Sequence, residues 1–277
     1  MNYDRRIDRL HPALILVLVD QSDSMSEPIV DERISKAAAV ADQINTLIYE
    51  LILRCVKTPR EPPRAYFSVG VLGYSTTERG DPLVEPALTV CGADGVTTTT
   101  DLAANPLRVD VRPGPGGTPV HAPVWVEPTA RGGTPMCAAL NRAGQLAAGW
   151  VARHPESFPP VVVNLSDGEA TDGDPSVWAA RLRSLATSDG NLLVFNLNIS
   201  ASPGTTSLFP SDTAGLPDEY AHTLFGLSSP LPPTMVDVAR SQGIVLGPQA
   251  RGFGYNADMK ALALFLNVGT SIGRVAR

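Results

Sequence analysis

The feature that most constrains this chain is an unbroken apolar run that ends in a polar loop. Residues Ala13–Val19 read ALILVLV, and Asp20 and the polar stretch Gln21–Ser24 follow at once. A strand with one face in water alternates apolar and polar residues, whereas a strand covered on both faces is continuously apolar. The run is also too short to span a membrane. It therefore predicts a central strand of a sheet that is covered on both faces.

The rest of the chain alternates between helical and strand-like patterns. Apolar residues recur at helical spacing from about Glu32 to Val56, and a strand-like alternation follows from Tyr66 to about Ser75. The later predicted elements are a helix from Pro135 to Arg153, a strand over Pro160–Ser166, a helix over Pro175–Thr187, a strand over Leu192–Ile199, a helix over Pro233–Gln242, a short strand over Ile244–Leu246 and a helix over Ala257–Val268. This alternation predicts an α/β fold, with a doubly wound, mostly parallel sheet and helices on both faces.

Two stretches do not follow this alternation. Residues 76–127 are rich in Pro, Gly and Thr, and a structureless loop of that length is unusual inside a domain. We therefore predict an antiparallel edge strand and an inserted hairpin there, with β-like pieces at Ala87–Val90 and Leu107–Val111 and an exposed edge or loop at Thr97–Thr100. Residues 200–231 are poorly periodic. The whole chain, 1–277, is interpreted as a single domain with its core at about residues 13–268.

The bulk composition excludes several classes of protein. Acidic residues outnumber basic ones by 28 to 22, which gives a formal charge of −6 and argues against a nucleic-acid partner. The cysteines Cys55, Cys91 and Cys137 form no CxxC pair, so neither a disulfide framework nor a zinc site is indicated. The sequence shows neither a membrane-spanning segment nor a secretion signal, so we expect a cytoplasmic protein that does not bind membranes.

Oxygen-bearing side chains cluster where the predicted strands end. Asp20, Ser22 and Ser24 follow the first strand, Asp167 follows a later buried strand, and Thr134 precedes a proline as the predicted N-cap of a helix. The carboxyl ends of parallel strands meet at one edge of a sheet. An all-oxygen set favours Mg²⁺, Mn²⁺ or Ca²⁺ over zinc or copper. Because few of these ligands are charged, the ion would keep part of its positive charge and could accept a carboxylate from another molecule.

Three segments together resemble a known metal site. The stretches DQSDSM, GGTPM and LSDGEATD resemble, in order and spacing, the metal-ion-dependent adhesion site of von Willebrand factor type A (vWA) domains. The resemblance covers about residues 13–268, with 76–127 poorly matched. It implies that Ser22, Ser24 and Thr134 contact the metal directly, with Asp20 and Asp167 acting directly or through water. It also implies that the metal engages an acidic residue of a partner protein.

One position departs from that family pattern. The family usually has glycine between the two serines, where this chain has Asp23. Aspartate tolerates unusual backbone angles better than most residues, so the turn could be kept. Alternatively, the extra charge could alter the metal or the partner.

Within the family, GGTPM, DGEATD and the late stretch Gly254–Asp258 look most like the bacterial vWA proteins of tellurite-resistance-type stress operons. Genes for those proteins often lie beside genes for protein kinases and phosphatases. The resemblance implies a scaffold or regulator in a bacterial stress response, with kinase, phosphatase or ATPase components as partners.

Two other functions stay open at this point. A strand that ends in Asp20 beside Mg²⁺ also describes phosphatase-like hydrolases with an aspartate nucleophile, but these need a second aspartate where this chain has Ser22. No nucleophile elbow and no phosphate-binding loop occurs in the sequence, so we expect no enzyme activity. The third alternative is a structural subunit with a vestigial metal site, which only Asp23 supports.

Overall fold

The fold is built around the apolar strand at the start of the chain. The structure is a computed structural model that describes residues 3–29, 33–58, 60–92, 95–114, 118–199 and 204–272. Its strands are β1 (Ala13–Asp20), β2 (Phe67–Thr76), β3 (Pro82–Pro86), β4 (Thr97–Thr98), β5 (Arg108–Pro113), β6 (Pro119–Val124), β7 (Val161–Ser166), β8 (Ala186–Thr187), β9 (Gly190–Asn191), β10 (Leu193–Ile199), β11 (Ser207–Leu208) and β12 (Phe253–Ala257).

The main sheet is mixed and mostly parallel. Its strand order is β11-β12-β10-β7-β1-β2-β3, and β4 pairs with a further stretch of β2. The five inner strands run parallel, while β3, β4 and β11 pair antiparallel at the margins. This arrangement confirms the predicted doubly wound α/β fold of the vWA or Rossmann-like kind. It also shows two short antiparallel strands beyond the one that was predicted.

Helices cover both faces of this sheet. They are α1 (Lys36–Arg54), α2 (Thr99–Ala104), α3 (Met136–Arg153), α4 (Ser176–Ser184), α5 (Glu219–Leu227), α6 (Pro233–Ser241) and α7 (Met259–Gly269). Alternate residues of β1 enter two separate cores, one with α1 and α7 and the other with α3. All eight residues of β1 are buried, which explains its continuous apolar sequence. None of the helices in the described ranges combines the length and apolarity needed to cross a membrane.

The predicted strand over Ile244–Leu246 is wrong. That segment is irregular, and its middle residue, Val245, is 96% exposed. The strand in this part of the chain is β12, where glycines hide the apolar pattern. A Cβ atom on Gly254 in this strand would lie 2.3 Å from Leu197 Cδ1, and one on Gly252, just before the strand, would lie 1.9 Å from a ring carbon of Phe195, so the backbone must approach both side chains without one of its own.

Several other boundaries also differ from the sequence predictions. The helix expected over Pro175–Thr187 ends at Ser184, because a tight β8–β9 hairpin follows it. Thr97–Thr100 is not an exposed loop, since it forms β4 and the start of α2 with Thr97 and Thr99 buried. Helix α5 was not predicted; it is capped by Asp218, whose carboxylate accepts the Ala221 N–H at 2.7 Å. The predicted start of α1 at Glu32 lies outside the described residues.

The inserted region contains an edge strand and a hairpin, as predicted, but the β-like piece expected at Ala87–Val90 is irregular and the edge strand lies just before it. Strand β3 pairs antiparallel with the end of β2, and β5 pairs with β6 in a separate two-stranded ribbon. Buried Asn45 of α1 holds the chain that leaves this ribbon. Its Oδ1 accepts the N–H groups of Trp125 and Val126 at 2.8 and 3.0 Å, and its Nδ2 donates to the Val126 carbonyl at 3.0 Å.

We predict that Asn45→Ala destabilises the protein by about 3 kcal/mol, because it leaves buried backbone groups without partners. Urea unfolding measures this change. Thr46→Ala is the matched control, because Thr46 is exposed on the same helix and its hydroxyl bonds only the Asp42 carbonyl one turn back. Equal stability of the two variants would contradict the role given to Asn45.

Candidate metal-binding site

The predicted site residues come together at the carboxyl edge of the sheet. Asp20 ends β1, Ser22 and Ser24 lie in the loop after it, and Asp167 follows β7. The hydroxyl oxygens of Ser22 and Ser24 are 3.1 Å apart, and the Ser24 hydroxyl donates to Asp167 Oδ1 at 2.8 Å. Two of the three predicted ligand loops are therefore in direct contact.

Asp20 lies beneath the hydroxyl groups. One of its carboxylate oxygens accepts the Ser22 N–H at 2.9 Å, and the other accepts the Ser166 hydroxyl at 2.8 Å. The residue is fully buried. Burial raises the pKa of Asp20 to about 6, although both serines stabilise the carboxylate. Asp20 is thus a fixed acceptor whose negative charge lacks a compensating cation in direct contact among the described residues.

Thr134 belongs to the same site from the third loop. It is buried, and its Oγ1 would lie 3.8 Å from a Cβ atom placed on Gly168, the residue after Asp167. Its backbone is held by Thr171, through a Thr134 N–H to Oγ1 bond of 3.2 Å and a Thr171 N–H to carbonyl bond of 2.9 Å. The third loop therefore packs against the segment that carries Asp167.

The capping role predicted for Thr134 is wrong. Pro135 occupies the N-cap position of α3, with no capping side-chain bond of its own. Asp172 supplies the cap instead, because its two carboxylate oxygens accept the N–H groups of Cys137 and Ala138 at 3.0 and 2.8 Å. Asp172 lies 35 residues along the chain from Cys137, so no local sequence pattern signals this cap.

Asp23 connects two of the loops. Its N–H donates to the Gly132 carbonyl at 2.9 Å, and its Oδ1 accepts the Gly132 N–H at 3.0 Å. Asp23 begins a short 3₁₀ turn and is absent from the residues with positive φ in the described chain, so this turn does not require glycine. Gly132 has a φ of +68° and does require it.

Lys36 is a residue of the candidate site that the sequence reasoning missed. It is the first residue of α1 and only 4% exposed, and its Nζ lies 2.7 Å from Asp167 Oδ2, 2.9 Å from Glu27 Oε2 and 3.4 Å from the Ser24 carbonyl. Burial alone would lower the pKa of Lys36, but its bonds to Asp167 and Glu27 outweigh burial and raise it. A lysine in the first turn of a helix normally looks solvated, which is why sequence gave no sign of this role.

The donor set fits a small divalent cation. Among the described residues, no three His, Cys, Asp or Glu side chains gather as a metal-binding group, so a metal here must use hydroxyl ligands. Mg²⁺ binds oxygen at 2.0–2.1 Å in octahedral geometry, which separates neighbouring ligands by about 2.9 Å. The contacts from Ser24 to Ser22 and to Asp167, at 3.1 and 2.8 Å, bracket that spacing. Neighbouring oxygens around Mn²⁺ and Ca²⁺ can lie at similar separations, so the spacing suits a divalent cation without selecting one.

We predict that Asp20→Asn stabilises the metal-free protein at pH 7.5 by about 2 kcal/mol. The folded-state pKa of Asp20, about 6, lies above its unfolded value of about 3.9. Stability from this group is therefore fully present below about pH 4 and lost as the pH rises through 6. Asparagine removes that loss while filling the same space.

Urea unfolding in EDTA at pH 5 and pH 7.5 measures this effect. Exposed Asp237 offers a control, because Asp237→Asn removes one charge elsewhere. An Asp20→Asn variant that is less stable than the wild type at pH 7.5 would contradict the prediction.

We predict that Asp23→Gly weakens the site. Glycine removes the acceptor for the Gly132 N–H and adds backbone freedom, so the metal-free protein should lose about 1 kcal/mol. Its stabilisation by Mg²⁺ should shrink as well. Asp23→Asn keeps the acceptor oxygen and serves as the control, and thermal unfolding with EDTA and with Mg²⁺ compares the variants. Tighter Mg²⁺ binding by Asp23→Gly would show instead that Asp23 disables the site.

Comparisons with known proteins give a shared fold. No protein-family model matches the chain, and no curated protein matches it. Among solved structures, the pilus adhesin SpaC from Lactobacillus rhamnosus GG superposes with a TM-score of 0.53 at 12% sequence identity. The superposition covers 95% of this chain and 30% of the adhesin chain.

Two further structures superpose more loosely. Proximal thread matrix protein 1 from the mussel byssus gives a TM-score of 0.47 at 14% identity, over 96% of this chain and 48% of its own. The manganese-loaded Plasmodium vivax TRAP protein gives 0.43 at 14% identity, over 94% and 75%. This chain spans less than a third of the adhesin's length, and at these identities the likeness to the adhesin establishes a common α/β fold alone.

Proposed function

We propose that this chain is a protein-binding module that holds a divalent cation and uses it to engage an acidic residue of a partner protein. In this proposal Ser22, Ser24 and Thr134 contact the ion, and Asp20 and Asp167 act directly or through water. The observation that carries the proposal is the clustering of the Ser22 and Ser24 hydroxyl groups with the Asp167 carboxylate. The Ser24 oxygen lies 3.1 Å from that of Ser22 and 2.8 Å from Asp167 Oδ1, which is the spacing of neighbouring metal ligands. Mg²⁺ is the favoured ion, with Mn²⁺ and Ca²⁺ as alternatives.

The charge of the site supports an acidic partner. Neutral hydroxyl groups dominate the ligand set, and one of the two carboxylates, Asp167, already pairs with Lys36 at 2.7 Å. A divalent ion bound there would therefore keep part of its positive charge. Such an ion attracts a carboxylate that arrives from solvent, and Ser24, which is only partly buried, leaves a side of the site open to it.

The geometry favours binding over catalysis. Both oxygens of Asp20 accept hydrogen bonds and the residue is fully buried, so it is badly placed for attack on a phosphate. Ser22 stands where a phosphatase of the haloacid-dehalogenase kind needs its second aspartate. We therefore propose that the protein is not an enzyme.

The fold and the sequence resemblance supply the setting for this proposal. The likeness to a protein described as a pilus adhesin suits a binding role. The resemblance to vWA proteins of tellurite-resistance-type operons suggests a cytoplasmic scaffold or regulator in bacterial stress response, with kinase, phosphatase or ATPase components as partners. Neither nucleic acid nor membrane is part of the proposal.

We predict that Mg²⁺ or Mn²⁺ raises the unfolding temperature of the wild type, because an ion that binds only the folded state stabilises it by about 2.7 kcal/mol at a hundred times its Kd. Ser22→Ala and Thr134→Ala should abolish the rise. Ser26→Ala is the matched control, because exposed Ser26 lies in the same loop and bonds only the Asp23 carbonyl. Acetate should enlarge the rise and acetamide should not. Equal responses of all three alanine variants would refute the metal site.

A further inference from the structure

Lys36 is a buried cation inside the candidate metal site. Its ammonium group contacts Asp167 and Glu27, and it lies 3.4 Å from the Ser24 carbonyl. The chain has only two other lysines, Lys57 and Lys260, and both are exposed. The burial of Lys36 is therefore a particular feature of this site.

Helix stability does not explain this lysine. Lys36 is the first residue of α1, and a positive charge at a helix N-terminus opposes the helix dipole. The cap comes from Ser35, whose side chain accepts the Ala38 N–H at 3.2 Å. The favourable interactions of the ammonium group are thus its contacts with acceptors at the metal site.

Lys36 occupies one of the two oxygens of the Asp167 carboxylate. Oδ2 accepts the ammonium group at 2.7 Å, while Oδ1 accepts the Ser24 hydroxyl at 2.8 Å. Only Oδ1 points toward the serine hydroxyls that would hold the ion. A divalent ion would therefore share this carboxylate with a cation that is already present, and Asp167 could not offer both oxygens to the ion.

The lysine also changes the charge of the loaded site. Asp20 and Asp167 would together neutralise a divalent ion, but Lys36 adds one positive charge beside them. Glu27 also pairs with the ammonium group at 2.9 Å, but its side chain is 56% exposed and remains hydrated, so it offsets the buried lysine only in part. The loaded site is left with an excess positive charge, and a carboxylate from outside the chain would remove it.

We propose that Lys36 is a specificity-determining residue that makes metal binding depend on an external carboxylate. This inference rests on the proposed function and deepens it. Lys36 keeps the metal affinity low while no partner is present, and the incoming acidic residue neutralises the excess charge. Metal and partner would then bind together, each strengthening the other by the same factor.

The test compares Lys36→Met with the wild type by isothermal titration with Mg²⁺, in chloride and in acetate. We expect Lys36→Met to bind Mg²⁺ at least tenfold more tightly in chloride and to gain little from acetate. Lys57→Met is the matched control, because exposed Lys57 follows the other end of α1. Lys36→Arg keeps the charge and should keep the dependence on acetate.

Thermal unfolding separates the proposed role of Lys36 from a purely structural one, because it measures stability both without metal and with Mg²⁺. Lys36→Met leaves the Asp167 carboxylate buried without its ion pair, so unfolding in EDTA should begin at a lower temperature, and Mg²⁺ should raise that temperature by more than it does for the wild type. Lys36→Gln keeps a hydrogen-bond donor and replaces Lys36→Met should that variant fail to fold, as judged by circular dichroism.

The outcomes separate the two proposals. Acetate-dependent Mg²⁺ binding that is the same in the wild type and in the folded neutral variants would overturn the role of Lys36 and leave the metal site intact. Absence of Mg²⁺ binding in both, with and without acetate, would overturn the metal site and this inference together. Mg²⁺ binding by the neutral variant alone would support the inference.

Discussion

The burial of β1 on both faces is the constraint on which the rest of the structure depends. Because each face of β1 must be covered, α1 and α7 pack on one side of the sheet and α3 on the other. The chain can leave the sheet only at its carboxyl edge, where the backbone groups of the strand no longer have ladder partners. Asp20 meets that need, since its carboxylate accepts the N–H of Ser22 two residues later. The loop that presents the serine hydroxyls is therefore a consequence of ending a buried strand.

A line of buried polar side chains within the sheet lies behind this edge. The Tyr74 hydroxyl donates to Asn164 Oδ1 at 2.9 Å, Asn164 Nδ2 donates to Asn196 Oδ1 at 3.2 Å, and Asn196 Nδ2 donates to Ser228 Oγ at 2.9 Å. Asn164 and Asn196 stand opposite each other on neighbouring strands. Buried amides are favourable only when their hydrogen-bond partners are in place, so this row of hydrogen bonds fixes the register of β7 against β10. On the other side of β7, its register against β1 sets Leu165 opposite Val19 and so places Asp167 beside the serine loop.

Sequence predicted the parts of the site that follow from local pattern. The apolar run fixed the central strand, and the polar residues after each strand marked Asp20, Ser22, Ser24 and Asp167 because parallel strands end at one edge. Contacts between distant segments leave no such pattern, which is why the contact of Lys36 with Asp167 escaped prediction. Strand β12 escaped for another reason, since its backbone approaches Phe195 and Leu197 so closely that glycine replaces the apolar residues expected of a buried strand. Metal binding at this site stays a prediction.

The metal-free site is already satisfied by its own hydrogen bonds. Ser24 bonds Ser22 and Asp167, and Lys36 compensates the Asp167 carboxylate, so the fold does not need an ion in the way that a small zinc domain does. A divalent ion would replace hydrogen bonds of nearly the same length and would meet a cation that is already there. Its net gain would therefore be small until a carboxylate joins it. In the proposed function, metal binding would therefore report the presence of an acidic partner, because the partner supplies the negative charge that the site itself lacks.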